Sequence, residues 1–279
     1  MIRIGVRSFV AGGGPSNDAD AQAFIDAAGI TDATQQGAIN TLVTDLKGYG
    51  IWTKMKAIWP FVGGTSSSHK WNLKDPRDLD AAFRLVFSGG STHSSTGWLP
   101  NGNNGYADTK LNASTKLNFN SAHLSYYSRS NTITADKGEI GVTQNTTTYL
   151  PLIALQIKRT QSGVSNRFSS YIYSYVASDA IIVENLDSKG FYLLTRTASN
   201  LFKAFKNNNQ LGSTVTTNGQ SFAPNRNFYI GAINYDGTSG TFTDRECAFA
   251  SIGDGLTDTE AANLYTAVQA YQTTLNRQV

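Results

Sequence analysis

Residues 190–209 read GFYLLTRTASNLFKAFKNNN, and this stretch decides the fold class. Two short runs rich in aromatic and aliphatic residues, at 191–196 and 201–206, are followed by three asparagines at 207–209. Short apolar runs bounded by turn-forming residues are typical of antiparallel strands. The stretch therefore predicts two neighbouring strands of an antiparallel sheet.

The same pattern continues over most of the chain after about residue 80. Further short runs lie at 83–88, 124–129, 150–157, 169–176, 228–233 and 247–252. Turn clusters such as 101–105 (NGNNG) and 236–237 (DG) stand between them. Several strands at short spacing, with little helix between them, predict a mainly β fold, an antiparallel jelly-roll sandwich.

Helical spacing is confined to the two ends of this β region. Residues 18–28 and the segment after Asp32 each carry an apolar stripe, and the second segment opens with a good N-cap residue. Near the C-terminus, Thr257 and Glu260 form a capping box before a third stripe. We therefore expect amphipathic helices near the N-terminus and one C-terminal helix to flank the sandwich. The tryptophans at 52, 59 and 71 are expected in the core.

The first fourteen residues differ in pattern from the helical segments after them. Residues 1–10 alternate weakly, as a strand does, and 11–15 (AGGGP) break that pattern like a hinge. We predict that 1–14 form an arm for attachment or oligomerisation, and that 15–279 form the helix-flanked sandwich domain. An ordinary edge strand of the same domain is the alternative for the arm.

Charge and composition exclude several classes of function. Twenty-three basic and twenty acidic residues give a net charge of +3, and no block of like charges occurs. We expect no nucleic-acid partner, because such proteins usually carry a basic stripe. No apolar run is long enough to predict membrane insertion. The single cysteine, Cys247, cannot form an internal disulfide, which fits synthesis in a reducing cytoplasm.

Two parts of the sequence resemble known families. Residues 190–209, then 228–231 (FYIG) and 248–265 (AFASIGDGLTDTEAANLY), resemble the closing half of concanavalin A-like, laminin-G-type lectin jelly rolls. The run 45–87, DLKGYGIWTKMKAIWPFVGGTSSSHKWNLKDPRDLDAAFRLVF, is similar to a module of bacteriophage virion proteins that covers about 17–128 here.

Together these resemblances imply a non-enzymatic protein of the phage virion surface, either a fibre, a spike or a head decoration. Such a protein would be made in the host bacterial cytoplasm and would form a homo-oligomer, expected to be a trimer. Its partners would be other virion proteins and a glycan on the host surface or in mucus. Two alternatives stay open: a purely structural virion subunit without glycan binding, and a polysaccharide depolymerase.

One segment combines the groups that carbohydrate binding requires. An aromatic ring can cover the C–H face of a sugar, and amides can bond to its hydroxyls. Trp98, Asn101, Asn103, Asn104 and Tyr106 supply both within a few residues, so they are the predicted glycan site. Alternatively, Trp98 anchors a long loop to the sandwich.

A second aromatic row consists of Tyr171, Tyr173 and Tyr175, which alternate along a predicted strand. This row could be a sugar platform. A face buried by the helices or by a neighbouring subunit is the favoured interpretation.

Hydrolysis of a glycan normally needs two carboxylates flanking the scissile bond. The nearest sets are Asp136 with Glu139, in a turn-like region, and Asp244 with Glu246, at strand spacing. Neither has a third acid in register, so we expect no catalytic residues.

The three histidines, His69, His93 and His123, are far apart in sequence and surrounded by small polar residues. They lack the spacing of a zinc motif and are expected on the surface or in loops.

A calcium site is conceivable at one loop, although we expect no cofactor. Asn234, Asp236 and Asp244 place oxygen atoms around a glycine-containing turn. Three such ligands fall short of the six to eight that Ca²⁺ prefers. A turn held by asparagine hydrogen bonds is the favoured alternative.

Overall fold

The computed structural model describes residues 17–132, 136–145, 147, 151–173, 179–219 and 222–279. The predicted arm at 1–14 lies outside these residues and stays a prediction. Tyr175 of the tyrosine row lies outside them as well.

Three long helices begin where local capping signals predict. The described helices are α1 (Ala19–Ala28), α2 (Ala33–Gly48), α3 (Ser66–His69), α4 (Ala113–Lys116) and α5 (Asp258–Thr274). The carboxylates of Asp18 and Asp32 cap α1 and α2 by accepting backbone N–H groups, and Thr257 with Glu260 forms the capping box of α5. Among these helices, none has the length and hydropathy to cross a membrane.

About half of the remaining described chain is strand. The strands are β1 (Met55–Trp59), β2 (Val86–Ser88), β3 (Ser91–Ser94), β4 (Gly97–Pro100), β5 (Tyr106–Asn112), β6 (Ala122–Ser128), β7 (Ile140–Thr143), β8 (Leu152–Gln161), β9 (Val164–Ile172), β10 (Ala180–Glu184), β11 (Gly190–Ala198), β12 (Leu201–Lys206), β13 (Asn209–Val215), β14 (Asn227–Ile230), β15 (Ile233–Tyr235), β16 (Thr238–Gly240) and β17 (Cys247–Gly253).

The strands form two sheets that pack face to face. The first sheet has the order β13-β12-β11-β6-β17-β4-β3, and β1 also pairs with β17. The second has the order β10-β9-β8-β7-β14-β5-β2, and β15 joins β7 by a parallel pairing and carries β16. All other pairings are antiparallel, and β11 lies beside β12 as residues 190–209 predict. The predicted mainly β sandwich with flanking helices is confirmed.

The apolar residues lie in two layers. One layer fills the space between the sheets, and the other lies between the first sheet and the helices α1, α2 and α5. Strand β6 has a layer on each side: Leu124 and Tyr126 belong to the inter-sheet layer, whereas Tyr127 belongs to the helical one. All seven residues of β6 are therefore buried.

The predicted strand at 83–88 is too long. A 3-10 turn at Asp80–Ala82 ends in Phe83, which has a left-handed φ of 59°, and the strand begins only at Val86. An extended conformation cannot start before the chain leaves this turn.

The two stretches that carry the resemblances share one sheet. Strands β1 and β4, from the N-terminal stretch, both pair with β17, from the C-terminal one.

Candidate functional site

The sandwich has one outer sheet face that the long helices do not cover. Helices α1, α2 and α5 pack on the first sheet, so its outer side is part of the core. The outer side of the second sheet, called the open face below, carries instead a small cluster of Leu152, Ala154, Tyr171 and Ile233. The members of this cluster are themselves buried, so a ligand can reach this part of the open face only at the more exposed residues around them, such as Asp136, Arg159 and Tyr235.

Side-chain alternation on β8 and β9 determines which residues the open face presents. Ile153 and Leu155 point into the sandwich, so the residues between and beside them point outward. Across the strand pair, Ala154 lies opposite Tyr171, and Gln156 lies opposite Ser169. The outward row thus changes from apolar to polar along β8.

A depression of about 200 Å³ lies on this row and is called the Gln156 depression. Its lining consists of Asp136, Leu152, Ala154, Gln156, Arg159, Ile233, Tyr235 and Thr241. Ile233 reaches this position because its neighbour on β7 is a glycine. A Cβ atom at Gly141 would lie 2.5 Å from Ile233 Cδ1, so a larger residue there would displace the isoleucine.

Hydrogen bonds orient the polar groups of the depression. Arg159 donates through Nη1 to Gln156 Oε1 at 2.6 Å and through Nη2 to Asp136 Oδ1 at 3.0 Å. The amide nitrogen of Gln156 in turn donates to the carbonyl of Lys137 at 3.3 Å. The guanidinium is largely buried, with 16% of its side chain exposed, whereas Asp136 is 61% exposed. Arg159 and Asp136 are therefore the polar groups that remain near the surface beside Tyr235, whereas Gln156 is 3% exposed and its amide is engaged within the protein.

A second aromatic group lies farther along the open face. The rings of Tyr106 and Tyr229 are 4.6 Å apart, and the ring of Phe242 is 6.4 Å from Tyr106. Asp108 accepts from the amide of Asn227 at 3.1 Å beside them. Burial, and then the nearby Asp108 carboxylate, raises the pKa of Tyr229 to about 12, so its hydroxyl remains a hydrogen-bond donor at neutral pH.

Only part of the predicted glycan site is available to a ligand. Trp98 is fully buried on β4, and its ring stacks on Phe61 with centroids 6.0 Å apart. It cannot offer a face to a sugar, because β4 turns the ring into the inter-sheet core. The alternative role, an anchor, is the one the structure gives it.

The asparagines of this segment hold their own loop together. Asn101 Oδ1 accepts from the backbone N–H groups of Asn103, Asn104 and Gly105, each at 3.0 Å. Asn104 Oδ1 accepts from the Asn101 amide and from Gly90 N. These two amides are thus engaged within the loop, and the exposed Asn103 and the half-buried Tyr106 are the members that can still meet a ligand.

The predicted calcium ligands are engaged in other contacts. Asn234 accepts from Gly237 N at 2.7 Å and donates to the carbonyl of Asn227. Asp236 forms an ion pair with Arg226 at 2.9 Å, and Asp244 accepts from Thr132 at 2.8 Å. Within the described residues no three His, Cys, Asp or Glu side chains lie close enough to hold a metal.

The carboxylates considered for catalysis are also engaged. Glu139 is completely buried and pairs with Arg245 at 2.5 Å, away from the exposed Asp136. Glu246 pairs with Arg129 at 2.7 Å and accepts from Thr96, whereas Asp244 is bound to Thr132. Because their partners differ, the two carboxylates of each set are not held together at one groove.

The prediction of surface histidines is wrong for two of the three. His69, the last residue of α3, and His123, within the central strand β6, are fully buried. His69 Nδ1 lies 3.0 Å from His93 Nδ1, and its Nε2 accepts from Gly64 N at 3.2 Å. Burial, then the charges of His93 and Arg277, lowers the pKa of His69 to about 3.

Tyr171 and Tyr173 are buried, as the favoured interpretation of the tyrosine row holds. The residues that bury them differ from the prediction. Tyr173 packs between the sheets and Tyr171 packs in the open-face cluster, and neither packs against the helices. Trp52 and Trp59 are buried as predicted, and Trp71 is half-buried against the helical layer.

Sequence analysis missed Gln156, Arg159 and Tyr235. The polar residues that follow a run of apolar ones on β8 were a possible signal. The outward direction of Arg159, however, depends on a register shift between Gln156 and Arg159 in the pairing of β8 with β9, and Tyr235 reaches the site through the pairing of β15 with β7.

Comparison with known proteins gives a result at the level of the fold. No protein-family model matches the sequence, and no curated protein is similar to it. Among solved structures, the chain is similar to domain 4 of AbnA, a GH43 extracellular arabinanase from Geobacillus stearothermophilus, in complex with arabinotriose. The TM-score is 0.51 at 14% identity, over 76% of this chain and 98% of that one.

Two further structures are similar at a TM-score of 0.50 and 10% identity. A Trypanosoma rangeli sialidase mutant with trans-sialidase activity matches over 85% of this chain and 39% of that one. The binding domain of botulinum neurotoxin DC, in complex with rat synaptotagmin II, matches over 78% and 53%. The likeness shows that this antiparallel sandwich is shared with proteins that act on or bind other molecules.

Proposed function

We propose that this chain is a non-enzymatic, lectin-like protein of a phage virion surface, and that it binds glycans in the Gln156 depression. The depression is the observation that carries the proposal. It combines a tyrosine ring, an amide, a guanidinium and a carboxylate on paired strands beside an apolar floor. Ligand sites have this character in general: a concave, partly apolar surface with a few oriented polar groups.

The geometry suits a sugar in particular. A pyranose has C–H patches that can lie on the half-buried Tyr235 ring. Its hydroxyls both donate and accept, and Arg159 and Asp136 offer a donor and an acceptor within one depression. Strand residues hold such groups more rigidly than loop residues do, which lowers the entropy lost on binding.

Binding without hydrolysis is the favoured form of this function. Glu139 is tied to Arg245 and Glu246 to Arg129, so both acids that could have paired with an aspartate act in ion pairs. The likeness to an arabinanase domain and to a sialidase concerns the fold and carries no activity over to this chain.

The virion part of the proposal is supported by the resemblance of residues 17–128 to phage virion modules. On a particle, many copies would bind one surface together, and linked sites can exceed the single-site affinity by about 10²–10⁴. We accordingly propose a homo-oligomer, a trimer, that contacts other virion proteins. Light scattering of the purified chain tests this, and a monomeric mass at micromolar concentration would contradict it.

The test of glycan binding is a glycan array followed by titration with the best-bound oligosaccharide. Tyr235→Ala is expected to weaken binding roughly tenfold, because it loses a contact worth about 1.4 kcal/mol, and Gln156→Ala is expected to weaken binding because it frees Arg159 Nη1 from the bond that positions it. Tyr49→Ala is the matched control: Tyr49 is an exposed tyrosine at the end of α2, on the helical side. Unchanged binding in the first two variants, or no binding by the wild type, would refute the proposal.

A further inference from the structure

Arg159 occupies the part of the Gln156 depression where charge matters most. Its side chain is 16% exposed and lines the depression, while both of its Nη atoms are held by neighbours. A guanidinium held in a partly desolvated depression interacts more strongly with an anion than one in open water does. The depression therefore holds one partly buried guanidinium, whose charge is balanced at present by the exposed Asp136 carboxylate.

A second arginine adds to this charge. Arg167 on β9 lies directly opposite Arg159 on β8, so two like charges are cross-strand partners on the open face. Like charges placed opposite each other destabilise a sheet. Glu184 on β10 lies directly opposite Arg167 on its other side but is exposed, and none of the ion pairs in the described parts of the chain involves Arg167. Exposed carboxylates, Asp136 and Glu184, therefore offset this repulsion only in part, and an added anion would offset more of it.

The present partner of Arg159 is replaceable. Asp136 pairs with Arg159 Nη2 at 3.0 Å, yet 61% of the aspartate side chain is exposed. Exposed ion pairs contribute little to stability, so losing this one costs the fold little. An anionic group of a ligand could take the position of the Asp136 carboxylate while Asp136 turns to solvent.

We infer that the glycan bound in the Gln156 depression carries an anionic group, a carboxylate or a sulfate, that pairs with Arg159. The inference rests on the proposed glycan binding and narrows it to acidic sugars. Gln156 then keeps Arg159 in position, and Tyr235 remains the aromatic contact.

The decisive measurement is whether one substitution strengthens or weakens glycan binding. Asp136→Asn removes the competing carboxylate and keeps the size of the side chain. Asparagine also tolerates the left-handed φ of 48° at this position. For an acidic glycan, binding should strengthen about threefold, the weight of an exposed ion pair. For a neutral glycan that uses the Asp136 carboxylate as an acceptor, binding should weaken.

The companion variant is Arg159→Gln, with Arg77→Gln as the matched control. Arg77 also pairs with a nearby aspartate, Asp75, but it is 64% exposed and lies in a loop outside the depression. Arg159→Gln is expected to lower binding of an acidic glycan at least tenfold, because a charge-assisted hydrogen bond is lost. Arg77→Gln should leave binding unchanged.

The probes are a glycan array holding neutral, carboxylated and sulfated glycans, and two matched pairs in solution. The pairs are oligogalacturonides with their carboxyl-reduced form, and carrageenan oligosaccharides before and after desulfation. Preference for an acidic member supports the inference, and the pair that shows it identifies the anion.

Binding confined to neutral glycans, or a loss of affinity in Asp136→Asn, overturns the inference and leaves the proposed function standing. A blank array overturns the proposed function itself, and the inference with it.

Discussion

Acid is expected to destabilise this protein at pH values well above those at which carboxylates titrate, and the His69–His93 pair is one cause. Gly64 N donates to His69 Nε2, so His69 must carry its proton on Nδ1 and donate it to His93 Nδ1. A second proton on either ring would set two N–H groups against each other. The pair is therefore stable only while both rings are neutral.

The size of the effect follows from the pKa of His69. Folding lowers that pKa from 6.5 to about 3, so the unfolded chain binds more protons than the folded one between these values. The contribution of His69 to stability is complete above pH 6.5 and is lost as pH falls. At about 1.4 kcal/mol per pH unit, roughly 2 kcal/mol is lost by pH 5. His123, whose pKa burial lowers to about 4, should add a similar loss.

Urea unfolding at pH 7.5, 6.5, 5.5 and 5.0 measures this dependence. The window avoids the carboxylates whose pKa the fold lowers, such as Asp18, Asp75 and Glu260, because these titrate at more acidic pH. Between pH 7.5 and 5.0 the free energy of unfolding should decrease in both proteins. The decrease in His69→Gln should be smaller than that in the wild type by about 2 kcal/mol. Whatever the variant costs at pH 7.5 cancels in this comparison. Parallel pH profiles for the two proteins would refute the reasoning.

Particular contacts support three further predictions. Arg245→Met should lower the free energy of unfolding by about 3–5 kcal/mol, because it leaves the Glu139 carboxylate buried without its partner; a loss below 1 kcal/mol in urea titration would contradict this. Gly141→Ala should cost about 1–3 kcal/mol and reduce glycan binding, because its Cβ would lie 2.5 Å from Ile233 Cδ1 and 2.9 Å from both Ala154 Cβ and the Ile153 carbonyl; an unchanged free energy of unfolding would contradict this. EDTA should change neither binding nor stability, because Asn234 and Asp236 are engaged within the protein; a drop in melting temperature that Ca²⁺ reverses would show a metal site.

Local signals predicted the helices well because a cap acts over a few residues. Asp18, Asp32 and the pair Thr257 and Glu260 each bond within their own first turn, and the structure shows these caps. The strands at 190–209 were equally easy to predict from the sequence, since β11 and β12 are joined by a short turn. The long 83–88 strand failed because a left-handed Phe83 interrupts it, and no local pattern announced that conformation.

The site was harder to predict because it depends on pairings between distant residues. Trp98 stood in a polar segment that suited a glycan, yet the pairing of β4 with β17 turned its ring into the core. Conversely, Arg159 and Tyr235 meet only because β8 and β15 both pair with β7. Composition can name the residue types of such a site, but the register of the sheet decides which of them face outward.

Two ion pairs of similar chemistry show why exchange with a ligand is reasonable at Arg159 but not at Arg245. Arg245 and Glu139 are both fully buried, so separating them would leave a bare charge in the core. Arg159 is held beside Asp136, which is mostly exposed and regains its hydration when it turns away. An arriving anion therefore has to offset only a weak surface pair to reach a partly buried guanidinium. On the second sheet, Gln156 holds Arg159 in position and Tyr235 can contact the rest of a sugar.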